Sequence, residues 1–232
     1  MRRFTLTFVT LLLLPVAAAA AETDASSHRA YAAPTALIAP AGSLTIDLRA
    51  PLFPAALAQG TVAFTDFFEA GVLFAAVASD ETDPIVGGHA KIQLFRTSQF
   101  AAAVSVDLVR DTHDEDTLFM SALAVSTCVD GDACNSLLTF HLSGIGELRE
   151  GLEPDDMLVF PGASYIVGKR NKLVTEVHLA SEDDETLIVG FVGGRFGQTT
   201  TVDLGLAFAA LLDDHDTDGP YPYPFFGLSH RM

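Results

Sequence analysis

Basic groups are scarce in this 232-residue sequence, where 13 Lys and Arg stand against 30 Asp and Glu for a formal net charge of −17. A polyanion would repel such a chain, which excludes nucleic acid as a partner. A second long apolar run is also missing. Beyond the N-terminus no stretch reaches the ~20 consecutive apolar residues that a membrane helix needs. There are only two cysteines, too few for a four-thiol metal site. Neither a Gly-x-Ser-x-Gly elbow nor a His-Glu-x-x-His helix occurs, so these motifs give no support to an enzyme, and no catalytic residue is assigned.

What is present begins with Arg2 and Arg3, an apolar run over 4–16 and five alanines over 17–21. That order predicts a cleaved export signal at 1–21. Its removal leaves 11 basic against 30 acidic residues in the mature chain. No cysteine follows the signal, so a lipid anchor is not expected. Residues 22–42, rich in Ala, Ser, Thr and Pro, read as a flexible lead-in, and 43–232 as one folded domain. Hydrophobic residues make up 49% of the chain, which excludes global disorder despite the charge. An exported chain meets an oxidising compartment, so Cys128 and Cys134 are expected to close a small loop as a disulfide.

From residue 43 onward the dominant pattern has period two. Leu44, Ile46 and Leu48 alternate with Thr45, Asp47 and Arg49. Ala90, Ile92 and Leu94 alternate with His89, Lys91 and Gln93, and Val202, Leu204, Leu206 and Phe208 with Thr201, Asp203, Gly205 and Ala207. Such alternation marks strands with one apolar face. Twelve segments qualify, at 43–50, 61–65, 68–78, 87–95, 100–110, 118–126, 137–146, 157–167, 172–179, 187–196, 199–208 and 225–232. Residues 51–60, 147–156 and 213–224 read as connections. Connections after the third, fifth, seventh, ninth and eleventh segments are acidic and mostly longer. Those after the second, fourth, eighth and tenth are short and neutral or basic. In an even-numbered up-and-down sheet each kind falls at one end, whereas Greek-key crossings have no reason to sort loops in this way.

With a signal, about twelve amphipathic strands, alternating connections and a strand at the C-terminus, the chain resembles the Gram-negative outer-membrane β-barrel proteins, specifically the small porin-like barrels. The resemblance covers roughly 42–232. It implies an all-β fold, a closed antiparallel up-and-down transmembrane β-barrel with all backbone hydrogen bonds internal. It also implies outer-membrane lipid and lipopolysaccharide as surroundings, and small solutes as passengers if the lumen is open. The chain departs from the family pattern by ending in Met232 rather than an aromatic residue, although Phe226, Leu228, His230 and Met232 keep the alternating register. With no Trp and four Tyr, any aromatic girdle must come from the seventeen Phe. The alternative is a secreted soluble β-sandwich acting as a binding module, with divalent cations as its ligand.

If the apolar faces meet lipid, then Asp47, Arg49, Lys91, Gln93, Asp107, His141, Glu176 and Asp203 face the lumen. Their mixed signs suit either a narrow water-filled channel or a plug of ion pairs. His141 shares a face with Ser143, and His178 with Glu176. Both pairs read as polar lumen residues rather than catalytic ones. Asp214, Asp216 and Asp218, followed by Gly219, match the first half of a calcium-binding EF-hand loop, but Phe225 stands where the closing Glu belongs. A solvated acidic loop is the simpler reading. No cofactor is expected, and calcium enters only if acidic rim loops bind divalent cations or bridge through them to lipopolysaccharide.

Overall fold

The computed structural model describes residues 29–30, 33–50, 55–77, 85–111, 117–131, 134–148, 154–182, 185–212 and 217–232. The expected export signal at 1–21, the core of each acidic connection, and Asp214 and Asp216 lie outside the described residues.

Twelve strands follow one another: β1 Leu44–Ala50, β2 Ala55–Thr65, β3 Phe68–Val77, β4 Ile85–Arg96, β5 Phe100–Asp111 and β6 Thr117–Cys128. The second half comprises β7 Ser136–Leu148, β8 Pro154–Val167, β9 Asn171–Glu182, β10 Glu185–Gly197, β11 Thr200–Leu212 and β12 Thr217–Arg231. Each pairs antiparallel with its sequence neighbours, and β1 closes on β12 through Asp47↔Ser229 and the residues beside them. All twelve strands thus form one closed barrel, with no second sheet to pack against. That removes the β-sandwich alternative.

Alternation carries directly into burial. In β11, Thr201, Asp203 and Ala207 are buried inside while Leu204 and Leu206 are each 50% exposed outside. The same outward exposure of Ile46, Leu48, Val72, Ile92, Leu108, Leu142, Val192 and Phe226 runs around the barrel. Such a contiguous apolar exterior is far larger than the patches monomeric soluble proteins expose, and it suits hydrocarbon. Exposed Phe64, Phe67, Phe100 and Phe196 crowd the rim bearing the short turns, whereas Tyr221 and Tyr223 stand near the other rim. One girdle is therefore built from Phe, as its abundance implies, and the other draws on half of the chain's tyrosines.

Most strands run further than periodicity predicts, three of them by three or more residues at the start. Residues 55–60 belong to β2, β8 begins at Pro154, and β12 begins at Thr217. The last extension crosses Pro220, Pro222 and Pro224, which argue against a strand because proline donates nothing to a ladder. The topology explains the tolerance. Among the described residues, pairing of β12 with β1 stops at Ala50↔Phe226, and beyond that point the ladder partner of β12 is β11. At a spacing of two, the three missing donors all fall on the same edge of the strand.

Short turns join β2 to β3, β8 to β9 and β10 to β11 at one end. Gly197 opens the last of these with φ +103°, and a Cβ there would stand 2.0 Å from the Thr200 carbonyl oxygen, so only glycine fits. At the same end a disulfide joins Cys128 and Cys134. Within that turn the Asp130 carboxylate accepts the backbone N–H of Asn135 at 2.9 Å and of Ser136 at 3.0 Å. Desolvation works against the charged form, but these donors outweigh it and hold the carboxyl below its ordinary value.

A plugged lumen as the candidate functional site

Residues 29–30 and 33–39 lie inside the barrel, not outside it as a flexible lead-in. Ala30, Ala33, Thr35, Ala36, Leu37, Ile38 and Ala39 are all buried. The composition that suggested flexibility has a different use here, because small alanines let a backbone pass close to the wall on every side. Arg29 and Pro34 form a single antiparallel bridge, so the segment doubles back on itself at its inner end. At its outer end Gly42 donates to the Ala63 carbonyl at 2.7 Å, beside the short turns.

A backbone without its own sheet must find other partners when buried. Wall side chains supply them. Glu176 accepts the Ala33 N–H at 2.9 Å, Ser126 accepts that of Ala36 at 2.9 Å and Glu69 accepts that of Ala39 at 3.3 Å. Gln93 donates to the Ala36 carbonyl. Arg195 donates to the carbonyls of Arg29 and Ala30, at 3.1 and 2.8 Å, while its Nε and Nη2 fork onto Asp203 at 2.8 and 3.0 Å. The Arg29 guanidinium in turn meets Asp47 and Ser229, each at 2.8 Å, and Ser229 also hydrogen-bonds Asp47. Eight of the twelve strands, β1, β3, β4, β6 and β9 to β12, thus hold the segment.

Apolar contacts complete the plug. Ala30, Ala36 and Leu37 share one buried cluster with the inward-facing Leu137, Ile166, Val174, Phe191 and Phe225. The Phe191 and Phe225 rings meet edge to face at 5.9 Å. The interior at this level is therefore a packed core, neither water-filled nor held by ion pairs alone. A signal for it exists in the sequence: β8 and β9 place Ile166 and Val174 on the inward face that elsewhere carries polar residues.

On the side away from the short turns, the plug gives way to a cavity of about 340 Å³. Arg29, Ala33 and Pro34 of the plug contribute to it, along with wall residues that include Arg49, Gln59, His89, Lys91, Asp107, Met120, Ser143, Phe160 and His178. The eight residues assigned to the lumen from sequence divide between these two levels. Asp47, Gln93, Glu176 and Asp203 bind the plug or its arginine clamp, whereas Arg49, Lys91 and Asp107 line the cavity. His141 is buried and joins His178. Neither Arg29 nor Arg195, whose guanidiniums clamp the plug, is among the eight. Arg29 lay in a segment read as unstructured, and Arg195 sits in β10 among glycines that obscure its inward register.

The histidines form short hydrogen-bonded chains. His89 Nδ1 lies 2.7 Å from Asp107. His141 Nε2 lies 3.2 Å from His178 Nδ1, and His178 Nε2 bonds Glu176. Both His178 nitrogens are therefore engaged. Ser143 reaches the cavity, and among the described residues the hydrogen bonds of His89, His141 and His178 run to carboxylates or to one another. Asp218 lies in β12, paired by backbone with Leu211, and the calcium reading rests otherwise on residues outside the described set.

Gly162 makes the histidine contact possible. It pairs with His141 on one side and His178 on the other, and a Cβ there would stand 2.1 Å from His141 Nε2 and 2.6 Å from the Val177 carbonyl. Gly162→Ala is expected to separate the rings and destabilise the barrel by about 1–3 kcal/mol, the usual cost of overpacking. Urea unfolding in lipid vesicles measures it, and an unchanged midpoint would show that the rings have room to move.

Comparison with known proteins adds the fold. No family model matches the chain, and no curated protein matches its sequence. Among solved structures, a membrane protein from work on in-meso crystallization aligns with TM-score 0.53 at 10% identity, over 82% of this chain and 83% of its own. LpxR from Salmonella typhimurium aligns with TM-score 0.49 at 8% identity, over 82% and 99%. A variant of OccD1 (OprD) aligns with TM-score 0.43 at 9% identity, over 82% and 66%. The fold is that of a closed, all-antiparallel β-barrel, shared in outline with the first of these membrane proteins. At such identities the likeness is one of architecture alone.

Proposed function

We propose that this chain is an integral outer-membrane β-barrel of a Gram-negative cell, exported by its N-terminal signal and closed at rest by its own residues 29–30 and 33–39. It is a gated or structural surface barrel, not a standing diffusion pore, and it has no catalytic role. The observation that carries this reading is the grip of eight strands on the plug, through both backbone and Arg29. A segment merely passing through a lumen would not have its N–H groups matched by carboxylates on opposite walls. The acidic connections then belong to the cell exterior, facing lipopolysaccharide, with divalent cations as the natural bridge between the two sets of anions.

The test has two parts. The protein should sediment with membranes, require detergent for release and migrate faster on a gel unheated than heated. Recovery in the aqueous fraction would overturn the membrane assignment. The folded full chain in a planar bilayer should then pass no steady current, and sustained current would overturn the closed state.

A further inference from the structure

We propose that the wall between β8 and β9 is a lateral portal, through which a neutral alkyl chain of the surrounding lipid enters the cavity beside the plug. The proposal rests on the membrane-barrel reading, because it needs hydrocarbon on the outer side of that wall.

The portal follows from the register. Pairing of β8 with β9 runs from Val167↔Leu173 to Gly162↔His178 and, among the described residues, ends there. Both strands continue past that point, β8 over 154–161 and β9 over 179–182. Each keeps its ladder on the far side, through Pro161↔Leu142 to β7 and Leu179↔Ile188 to β10. The two facing edges are therefore unpaired with each other from Gly162↔His178 toward the rim of the acidic connections. Pro161 stands first beyond the last pair, and its nitrogen has no hydrogen to donate, which disfavours further pairing there.

At membrane depth, strand edges that do not pair are tolerated where they border a cavity. These edges lead to one. Outside, Val159 and Leu179, 46% and 41% exposed, flank the gap and belong to the apolar belt. Inside, Phe160 and His178 flank the same gap and both line the cavity, with their ring centroids 6.3 Å apart and edge to face. The Phe160 ring is carried by the unpaired length of β8, so it forms the inner edge of the opening.

The cavity itself selects the occupant. Its charged groups already have partners: Arg29 meets Asp47 at 2.8 Å, Lys91 meets Glu69 at 2.9 Å and His89 meets Asp107 at 2.7 Å. Arg49 donates to Gln59 at 2.8 Å. An entering ion would have to break one of these contacts, whereas an alkyl chain leaves them intact. Leu57, Leu73, Met120, Ala122 and Phe160 offer such a chain apolar surface. Lipid is as apolar as this wall, so the gain on entry is atomic contact in place of a void rather than escape from water. At about 340 Å³, the low end of small-molecule sites, the cavity suits a single chain and not a whole diacyl lipid.

The chain contains no Trp, so one introduced indole is read without background. Full-length single-Trp variants would be folded in phosphatidylcholine vesicles with and without bromine at mid-chain, which quenches indole emission at short range. Phe140→Trp, on the outer face of β7, meets lipid directly. Phe191→Trp is inward and buried behind unbroken ladders to β9 and β11. Phe160→Trp stands at the portal, and Leu73→Trp in the cavity wall across the barrel on β3. Bromine is expected to lower the emission of Phe140→Trp and Phe160→Trp to a similar extent, that of Leu73→Trp about half as much, and that of Phe191→Trp hardly at all. Met120→Trp, also in the cavity wall, replaces Leu73→Trp should that variant not fold, and either one reads entry without altering the portal. Quenching of Phe160→Trp no stronger than that of Phe191→Trp would mean a closed wall and overturn the portal. Quenching at Phe160→Trp with none at the cavity positions beyond the Phe191→Trp level would overturn entry of the chain. Loss of quenching at Phe140→Trp as well would bring down the membrane reading itself, so the two failures are told apart.

Discussion

Deletion of residues 22–42 from the mature chain is expected to turn a non-conducting barrel into one that passes discrete current steps in a planar bilayer. The strand ladders do not depend on the plug, since each strand is hydrogen-bonded to its neighbours around a closed circle. What the plug contributes is filling. Without Leu37 and Ile38, the inward faces of Phe191, Phe225 and Ile166 border a vacant lumen, and water enters to solvate Asp47, Glu69, Glu176 and Asp203. These carboxylates would cost far more in a dry interior than in a flooded one, so flooding is the favoured response. The deleted protein should still show heat-modifiable mobility. Arg29→Asp offers the milder version, because it sets a third carboxylate against Asp47 and Asp203 and should produce intermittent opening. A folded deletion variant that passes no current would mean that wall side chains close the lumen unaided, and the plug reading would be wrong.

The second large effect is expected at Arg195. Its guanidinium forks onto Asp203 while also donating to the carbonyls of Arg29 and Ala30, all in a fully buried setting. Arg195→Ala leaves Asp203 charged and two plug carbonyls without that donor. Removing one partner of a buried pair typically costs about 3–5 kcal/mol, most of it the penalty of the charge left behind. Arg195→Lys restores the sign but not the planar fork, so it should recover less than half of the loss. Urea unfolding in lipid vesicles gives the comparison. A loss under about 1 kcal/mol for Arg195→Ala would show that the clamp is already hydrated and that the plug is held by other contacts. The deletion experiment supplies a further check, since Arg195→Ala in the plug-free barrel should cost much less than in the intact one.

Most of the barrel was legible in the residue order. Alternation such as that of Val202, Leu204 and Leu206 against Thr201 and Asp203 follows from strand geometry, and a pattern with apolar outward faces on every strand admits few closed arrangements. Strand ends were less legible where punctuation misled. The prolines of β12 and the glycine and alanine residues at the start of β2 read as loop, yet both stretches pair as strand, β12 there with β11 and β2 with β3 and, from Leu57, also with β1. The site was half legible. Inward polar residues could be named from register, but their division into plug holders and cavity walls could not, because it depends on a segment that no local pattern places beside them. Glu176 and Ala33 are separated by 143 positions, and Arg195 and Ala30 by 165.

The sequence by itself determined the all-β class, the number of strands, the apolar exterior and the cysteine pair, since each of these is written in local periodicity or spacing. Only the tertiary structure decided that residues 29–30 and 33–39 occupy the lumen. An alanine-rich stretch has no periodic signal and finds its hydrogen-bond partners solely when twelve strands close around it. The same closure decided which inward residues hold the plug and which line the cavity, since facing across a barrel is a property of the circle and not of any one strand.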